Sequence, residues 1–181
     1  MRKKLKAINR KINSILVTFG GSDPNKYTEI IIKLIPDLIK IGFEINLIIP
    51  NQRKVDYHHL KQSKNLIIYD KFISISDIGM STDLAICSGG GTLWEMCCLG
   101  IPVLAIPQSK NEFLAISYLT KKNACISLDR KSFNQINLID KIKQLSLDFE
   151  RRLLLSENGK KEVDGLGIPR VINKIIKNKK I

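Results

Sequence analysis

The sequence has few of the residues on which metal centres and histidine-based catalysis depend. Of its 181 residues only two are histidines, adjacent at His58 and His59, and its four cysteines show no C-x-x-C spacing. Neither a zinc site, a disulfide framework nor a histidine-based triad is indicated, and we expect no metal and no other cofactor. Three of the cysteines lie in apolar segments, which indicates buried, reduced thiols in a reducing compartment.

Long apolar runs are also missing. No stretch approaches the ~20 residues that span a bilayer. The basic N-terminus is followed by neither an apolar segment nor a small-residue cleavage site. We therefore expect no transmembrane segment and a cytoplasmic location. A length of 181 residues fits one domain with a full core, or one half of a larger two-domain enzyme.

Acidic residues are scarce beside basic ones, 17 against 30, and the formal net charge is +13. Basic residues crowd both ends, and residues 1–13 are predicted to form a basic N-terminal arm. Such a balance suits nucleic acid, an anionic membrane or a phosphate-bearing substrate. No aromatic residues interleave with the basic clusters, so a stacking surface for nucleic acid is not indicated, and we expect no nucleic-acid partner.

What the sequence does contain is a regular alternation of short apolar segments and helical patterns. Strands are predicted at Ser14–Phe19, Glu44–Ile49, Leu66–Tyr69, Leu84–Cys87, Val103–Ile106 and Ala124–Ser127. Helices are predicted at Thr28–Ile41 with a kink at Pro36, Ser74–Ser81, Thr92–Leu99, Asn111–Lys121, within Leu138–Leu155 and at Pro169–Lys177. Continuous apolar strands separated by helices predict a doubly wound α/β domain with a parallel sheet over residues 14–181.

Two glycine clusters fall at predicted carboxyl ends of strands, where such sheets bind ligands. Gly20 and Gly21 follow the first strand without a G-x-G-x-x-G or P-loop pattern, so a tight turn and a ligand contact are equally indicated. The run Ser88-Gly89-Gly90-Gly91-Thr92 joins a strand to a helix. Three consecutive glycines at a helix N-terminus indicate close backbone contact with an anion such as phosphate.

Thr92 and Glu95 have the T-x-x-E spacing of a capping box, in which both side chains bind amides at the helix end. The alternative is functional: Glu95, one turn into the helix, accepts hydrogen bonds from vicinal hydroxyls such as those of a ribose. The spacing alone favours the cap.

Five stretches of the chain resemble, in order, the C-terminal half of GT-B nucleotide-sugar enzymes. They are FGGSDP, Phe72-Ile73, DLAICSGGGTLWEMCCLGIPVLAIP, Asn111 and DGLGIPR. The likeness is strongest to the UDP-sugar hydrolases of pseudaminic acid biosynthesis, which act on UDP-2,4-diacetamido-2,4,6-trideoxy-β-L-altropyranose, and to the related spore-coat polysaccharide proteins. It is weaker to the N-acetylglucosaminyltransferases that make lipid II. The resemblance implies a Rossmann-like domain that forms the C-terminal half of a GT-B fold.

The resemblance also implies roles for individual residues. Phe72 and Ile73 line the uracil pocket, and Glu95 binds the ribose hydroxyls. The diphosphate is held by Gly20, Gly21, Ser22, Ser88, Gly89, Gly90, Gly91 and Thr92. Asn111 begins a pair near the sugar that is normally Asn-Gln but here is Asn111-Glu112, so an amide donor has become a carboxylate.

In the enzymes that the chain resembles, the catalytic histidine and much of the sugar pocket belong to an N-terminal half. This sequence contains no counterpart of that half, and neither histidine matches a family site. We therefore assign it no catalytic residue, and expect weak UDP-sugar binding and no turnover without a partner.

Three functions are compatible with these observations. The first is the UDP-sugar-binding domain of a hydrolase that releases UDP by activated water. The second is the nucleotide-binding subunit of a two-chain glycosyltransferase, in which residues 2–11 meet a membrane-anchored partner or the membrane. The third is a non-enzymatic module that binds a nucleotide sugar, or a domain whose glycine loops are only turns.

Overall fold

The computed structural model of the chain describes residues 7–49, 55–57, 60, 63–71, 73–130, 133 and 135–178. Within these residues a sheet of six parallel strands carries helices on both faces. The strands are β1 (Ser14–Thr18), β2 (Glu44–Ile48), β3 (Leu66–Tyr69), β4 (Leu84–Ser88), β5 (Val103–Ile106) and β6 (Ile126–Ser127). The helices are α1 (Tyr27–Ile41), α2 (Ile75–Gly79), α3 (Gly91–Leu99), α4 (Lys110–Lys121), α5 (Gln135–Leu147), α6 (Phe149–Glu162) and α7 (Gly167–Asn178).

The strands lie in the order β3-β2-β1-β4-β5-β6, and every neighbouring pair is parallel. All residues of β1, β4 and β5 are buried, because both faces of the sheet are covered. Ile15 of β1 packs into one apolar cluster with α1, and Leu16 packs into the cluster on the other face with α3. The predicted doubly wound, Rossmann-like fold is therefore confirmed.

Some predicted elements have different limits in the structure. The helical pattern over residues 138–155 is divided between α5 and α6, because Asp148 caps α6 by accepting a hydrogen bond from the Arg151 N–H at 2.9 Å. The last strand is only Ile126–Ser127. Helix α1 continues through Pro36 to Ile41. None of these differences alters the strand order.

The described part of the N-terminal arm, residues 7–13, is held to the domain by hydrogen bonds. Asp83 accepts from the Asn9 side chain and the Asn13 N–H, both at 2.8 Å. Arg152 of α6 is 1% exposed and donates to the carbonyl oxygens of both Asn9 and Arg10. It also donates to two carbonyls at the end of α5, those of Leu145 and Ser146. Its charge is buried among four acceptors, and the chain before β1 is fixed against α6.

No helix among the described residues combines the length and the apolarity that a membrane span requires.

Candidate functional site

The site lies where the strand order reverses. β1 and β4 are neighbours, with Val17 opposite Ile86 and Thr18 opposite Cys87. The helices that follow these two strands cover opposite faces of the sheet, so their connecting loops diverge and leave a crevice between them. Both predicted glycine clusters leave the sheet at this point. Gly20 and Gly21 therefore follow the strand that neighbours the one leading into the Ser88–Thr92 loop.

The helix after β1 has its amino end closed by a side chain of the protein. Asp23 is fully buried, and its carboxylate oxygens accept hydrogen bonds from the N–H groups of Tyr27 at 3.0 Å and Thr28 at 2.9 Å. The carboxylate satisfies amides of the first turn and faces the positive end of the helix dipole. The aspartate of FGGSDP is therefore a structural residue, and the amino end of α1 is not available to a ligand.

The glycines before Asp23 are exposed at the end of β1. Gly20 has a φ of +79°, a left-handed conformation that favours glycine. Apart from the glycines' own chain neighbours, no heavy atom of the described residues lies within 4 Å of the position that a Cβ would occupy on Gly20 or Gly21. Packing therefore does not require either glycine, and conformation explains only Gly20.

The helix after β4 has no such closure. α3 begins at Gly91, its N-cap residue is Gly90, and no side chain among the described residues accepts a hydrogen bond at this end. Thr92 already lies inside the first turn, two residues after the N-cap. The capping box predicted for Thr92 and Glu95 is therefore wrong. The amino end of α3 faces the crevice without a side-chain cap or an acidic residue in its first turn.

The three consecutive glycines differ in how closely other residues pack against them. A Cβ on Gly89 would lie 2.8 Å from both the carbonyl oxygen and the Cβ of Glu112, so this glycine is required by packing against α4. Chain neighbours and the helix backbone apart, the described residues place only side-chain atoms near a Cβ on Gly90, at 3.6 Å or more, and no atom within 4 Å of one on Gly91. Protein packing accounts for Gly89 but leaves Gly90 and Gly91 unexplained.

Glu95 is half-buried one turn into α3. Among the described residues, none forms a hydrogen bond or ion pair with its carboxylate. Desolvation by burial raises the pKa of Glu95 above its ordinary value. A partly buried carboxylate with no partner in the described part of the chain costs folding free energy, which is typical of residues retained for a ligand.

Glu112 is the centre of a hydrogen-bond network that the sequence analysis missed. The Glu112 N–H donates to the Ser109 hydroxyl, which is the N-cap of α4. Its Oε2 accepts from the Gln108 N–H at 2.7 Å and from the Gly89 N–H at 3.3 Å. The S-x-x-E spacing of Ser109 and Glu112 was the available signal for this capping arrangement.

Gln108 extends this network to the loop after β1. Its Nε2 donates to the Phe19 carbonyl oxygen at 2.6 Å, and its backbone N–H contacts Glu112. The loops after β1, β4 and β5 are thereby held in one arrangement at the carboxyl edge of the sheet.

The structure describes all but one of the remaining predicted site residues. Ser88 is the last residue of β4 and is buried, Ser22 is exposed, and Asn111 is exposed in the first turn of α4. Ile73 follows β3 and packs partly buried against the apolar cluster that contains α3. Phe72, like the two histidines, lies outside the described residues.

The family of the chain is shown by a match to a family model. The model described as "Glycosyltransferase family 28 C-terminal domain" matches residues 14–166. The chain belongs to this family. It is 26% identical over 173 residues to the spore coat polysaccharide biosynthesis protein SpsG of Bacillus subtilis, covering 91% of this chain and 50% of that protein.

Solved structures share the fold of this family member. MurG of Acinetobacter baumannii superimposes with a TM-score of 0.70 at 15% identity, over 92% of this chain and 50% of its own. The spinosyn rhamnosyltransferase SpnG, complexed with thymidine diphosphate, gives a TM-score of 0.67 at 18% identity, over 87% and 43%. The chain thus spans about half the length of the relatives it matches.

Proposed function

We propose that this family 28 domain binds the nucleotide part of a UDP-sugar, with the diphosphate lying between the loop after β1 and the amino end of α3. The observation that carries the proposal is the contrast between the two helices at the switch point. Asp23 closes α1, whereas α3 starts at two glycines that packing does not require and has no side-chain cap. Uncapped helix amides beside open glycines are suited to a diphosphate.

The residues around this point take the roles that the family resemblance suggests. Gly20, Gly21 and Ser22 approach the diphosphate from the β1 side, and Gly90, Gly91 and Thr92 from the β4 side, with Ser88 and Gly89 shaping the second loop. Glu95 accepts hydrogen bonds from the ribose hydroxyls, and Ile73 and Phe72 are assigned to the uracil. Asn111 and Glu112 are nearest the sugar.

For the reaction, transfer of the sugar to an acceptor is supported by the family description and by the names of the structurally similar transferases. Hydrolysis of a UDP-sugar by activated water is the second candidate, supported by the ordered motifs from FGGSDP to DGLGIPR. A preparation that includes the complementary half separates the two. UDP release that requires an added acceptor supports transfer, and release in its absence supports hydrolysis.

We further propose that the complementary half binds α7. The side chains of Ile168, Val171, Ile172, Ile175 and Ile176 recur at i, i+3, i+4, i+7 and i+8, and are between 48% and 75% exposed. The family match ends at residue 166, immediately before this helix. At its start Arg170 donates hydrogen bonds to both carboxylate oxygens of Asp164, which precedes the helix. An apolar helix face outside the family domain, on a chain half as long as its relatives, supports a protein partner there.

Removing residues 167–181 is expected to change the free energy of unfolding by less than about 1 kcal/mol, because α7 buries no residue of its own. Thermal denaturation of the shortened and full chains checks this, with Leu155→Ala in the buried part of α6 as the destabilised control. A large loss of stability, or a dimer in sedimentation that the deletion abolishes, would mean that α7 packs on its own chain or on a second copy.

The proposed nucleotide site is tested by titrating the chain with UDP and with ADP in a calorimeter. We expect saturable binding of UDP that is roughly tenfold tighter or more than that of ADP, because a built pocket discriminates between bases of different size and hydrogen-bonding pattern. The measurement is repeated at moderate salt, since attraction that arises only from the +13 net charge fades with ionic strength. Equal, salt-sensitive binding of both nucleotides would count against a specific site.

A further inference from the structure

One carboxylate oxygen of Glu112, Oε1, takes no part in the hydrogen bonds that hold the loops together. Oε2 accepts from the N–H groups of Gly89 and Gln108, and so holds the two loops together. Oε1 lies 3.6 Å from the position that a Cβ would occupy on Gly90. No group among the described residues donates a hydrogen bond to it. The outer oxygen of this carboxylate therefore lies against the glycine loop that leads into α3.

The carboxylate is held in this position by the backbone as well as by its hydrogen bonds. The Cα, Cβ and carbonyl oxygen of Glu112 all lie within 3.0 Å of the place where a Cβ would stand on Gly89. The Ser109 hydroxyl, the N-cap of α4, accepts from the Glu112 N–H at 3.2 Å. Moving the side chain away would break two hydrogen bonds to backbone N–H groups. We therefore treat its charge as a fixed part of the site.

A fixed negative charge beside an anion-binding corner favours some phosphate ligands over others. It repels a phosphate in proportion to the charge that the phosphate carries, and it accepts a hydrogen bond from a hydroxyl. The terminal phosphate of a nucleoside diphosphate is a free, highly charged group. In a nucleotide sugar the same phosphate is esterified, has less charge and is followed by hydroxyl donors.

We infer that Glu112 makes the site prefer a nucleotide sugar to the free nucleoside diphosphate that remains once the sugar has been removed. The inference rests on the proposed nucleotide site. Glu112 serves the retention of the substrate and the release of the nucleotide product. The residue acts on the ligand by charge, in addition to holding the loops after β4 and β5 together.

The test is Glu112→Gln, which removes the charge but keeps an oxygen that can accept from Gly89 and Gln108. Affinities for uridine, UMP, UDP, UDP-N-acetylglucosamine and inorganic pyrophosphate are measured by NMR titration of the full chain. We expect UDP to bind roughly tenfold more tightly to the variant, with a smaller gain for the nucleotide sugar and none for uridine. Glu44→Gln, at the amino end of β2 and so at the opposite edge of the sheet, is the control with the same change in net charge.

A gain graded by ligand charge is a result that a purely structural role would not produce. Equal affinities of wild type and E112Q for UDP would overturn the inference and leave the nucleotide site standing. A gain for pyrophosphate without any binding of uridine or UDP would support the role of Glu112 and contradict the proposed function. An equal gain in the Glu44 control would also overturn the inference, because the effect would then come from net charge alone. Absence of binding for every ligand in both proteins would overturn the inference and the proposed function together.

Discussion

Replacing Glu95 with glutamine is expected to weaken UDP binding by roughly 30- to 100-fold without lowering the melting temperature. The proposed contact is a carboxylate that accepts hydrogen bonds from two ribose hydroxyls, and hydrogen bonds to charged groups are worth about 1.5–3 kcal/mol each. Glutamine keeps the shape of the side chain and loses the charge. Calorimetry with UDP and thermal denaturation of the same samples measure the two effects.

The stability half of this prediction follows from the direction of the pKa shift. Burial raises the pKa of Glu95 in the folded chain, so the ionised form is less favourable there than in the unfolded chain. The contribution of Glu95 to the free energy of unfolding is fully present at pH values below its pKa in the unfolded chain. It is lost as the pH rises through its raised pKa in the folded chain. At neutral pH the charge is therefore a net cost, which glutamine removes. The melting temperature of the variant should be equal to or above that of wild type.

The same shift predicts a pH dependence of binding. As the pH falls through the raised pKa of Glu95, the carboxyl group is protonated and becomes a poorer acceptor, so the affinity of wild type for UDP should fall. The ratio of wild-type to Glu95→Gln affinity cancels the titration of UDP itself and should approach one in acid. Glu157→Gln, exposed on α6, is the matched control. A lower melting temperature with unchanged UDP affinity would return Glu95 to a structural role.

The fold was predictable because its signals are local. SILVTF and its counterparts are continuous apolar runs, which a strand needs when both faces of the sheet are covered. The glycine clusters were located correctly because each directly follows such a run. The order of strands then brought the two clusters together, and alternation of strands and helices had already implied a parallel sheet.

The details of the site were less predictable because they depend on distant residues or on a shift of two positions at the start of a helix. T-x-x-E caps a helix only when the threonine is the N-cap, and the start of α3 at Gly91 displaces Thr92 from that place. Nothing near Gly89 shows that it packs against Glu112, 23 residues later. Arg152 likewise belongs to a sequence segment that looks exposed, and two of the four carbonyl groups that explain its burial, those of Asn9 and Arg10, are more than 140 residues away in the sequence.

Replacing Gly91 with aspartate should weaken UDP binding without lowering the melting temperature. We expect this contrast to be larger than for any other substitution in the site. A carboxylate at the first residue of a helix interacts favourably with the helix dipole, by about 0.3–1 kcal/mol, and no heavy atom obstructs its Cβ. The melting temperature should therefore stay the same or rise. If the diphosphate of UDP lies on this helix end, the same carboxylate occupies and repels its site, and UDP affinity should fall by roughly 100-fold or more.

Gly167→Asp is the matched control, because Gly167 is also the first residue of a helix and also has open space around its Cβ position. It should leave UDP binding unchanged, and uridine, which has no phosphate, should bind Gly91→Asp and wild type alike. The two variants in α3 also test each other. If Glu95→Gln weakens UDP binding and Gly91→Asp does not, the ribose contact is correct but the diphosphate must lie against Gly20 and Gly21. If Gly91→Asp weakens UDP binding and Glu95→Gln does not, α3 binds an anion and the proposed contact between Glu95 and the ribose is wrong.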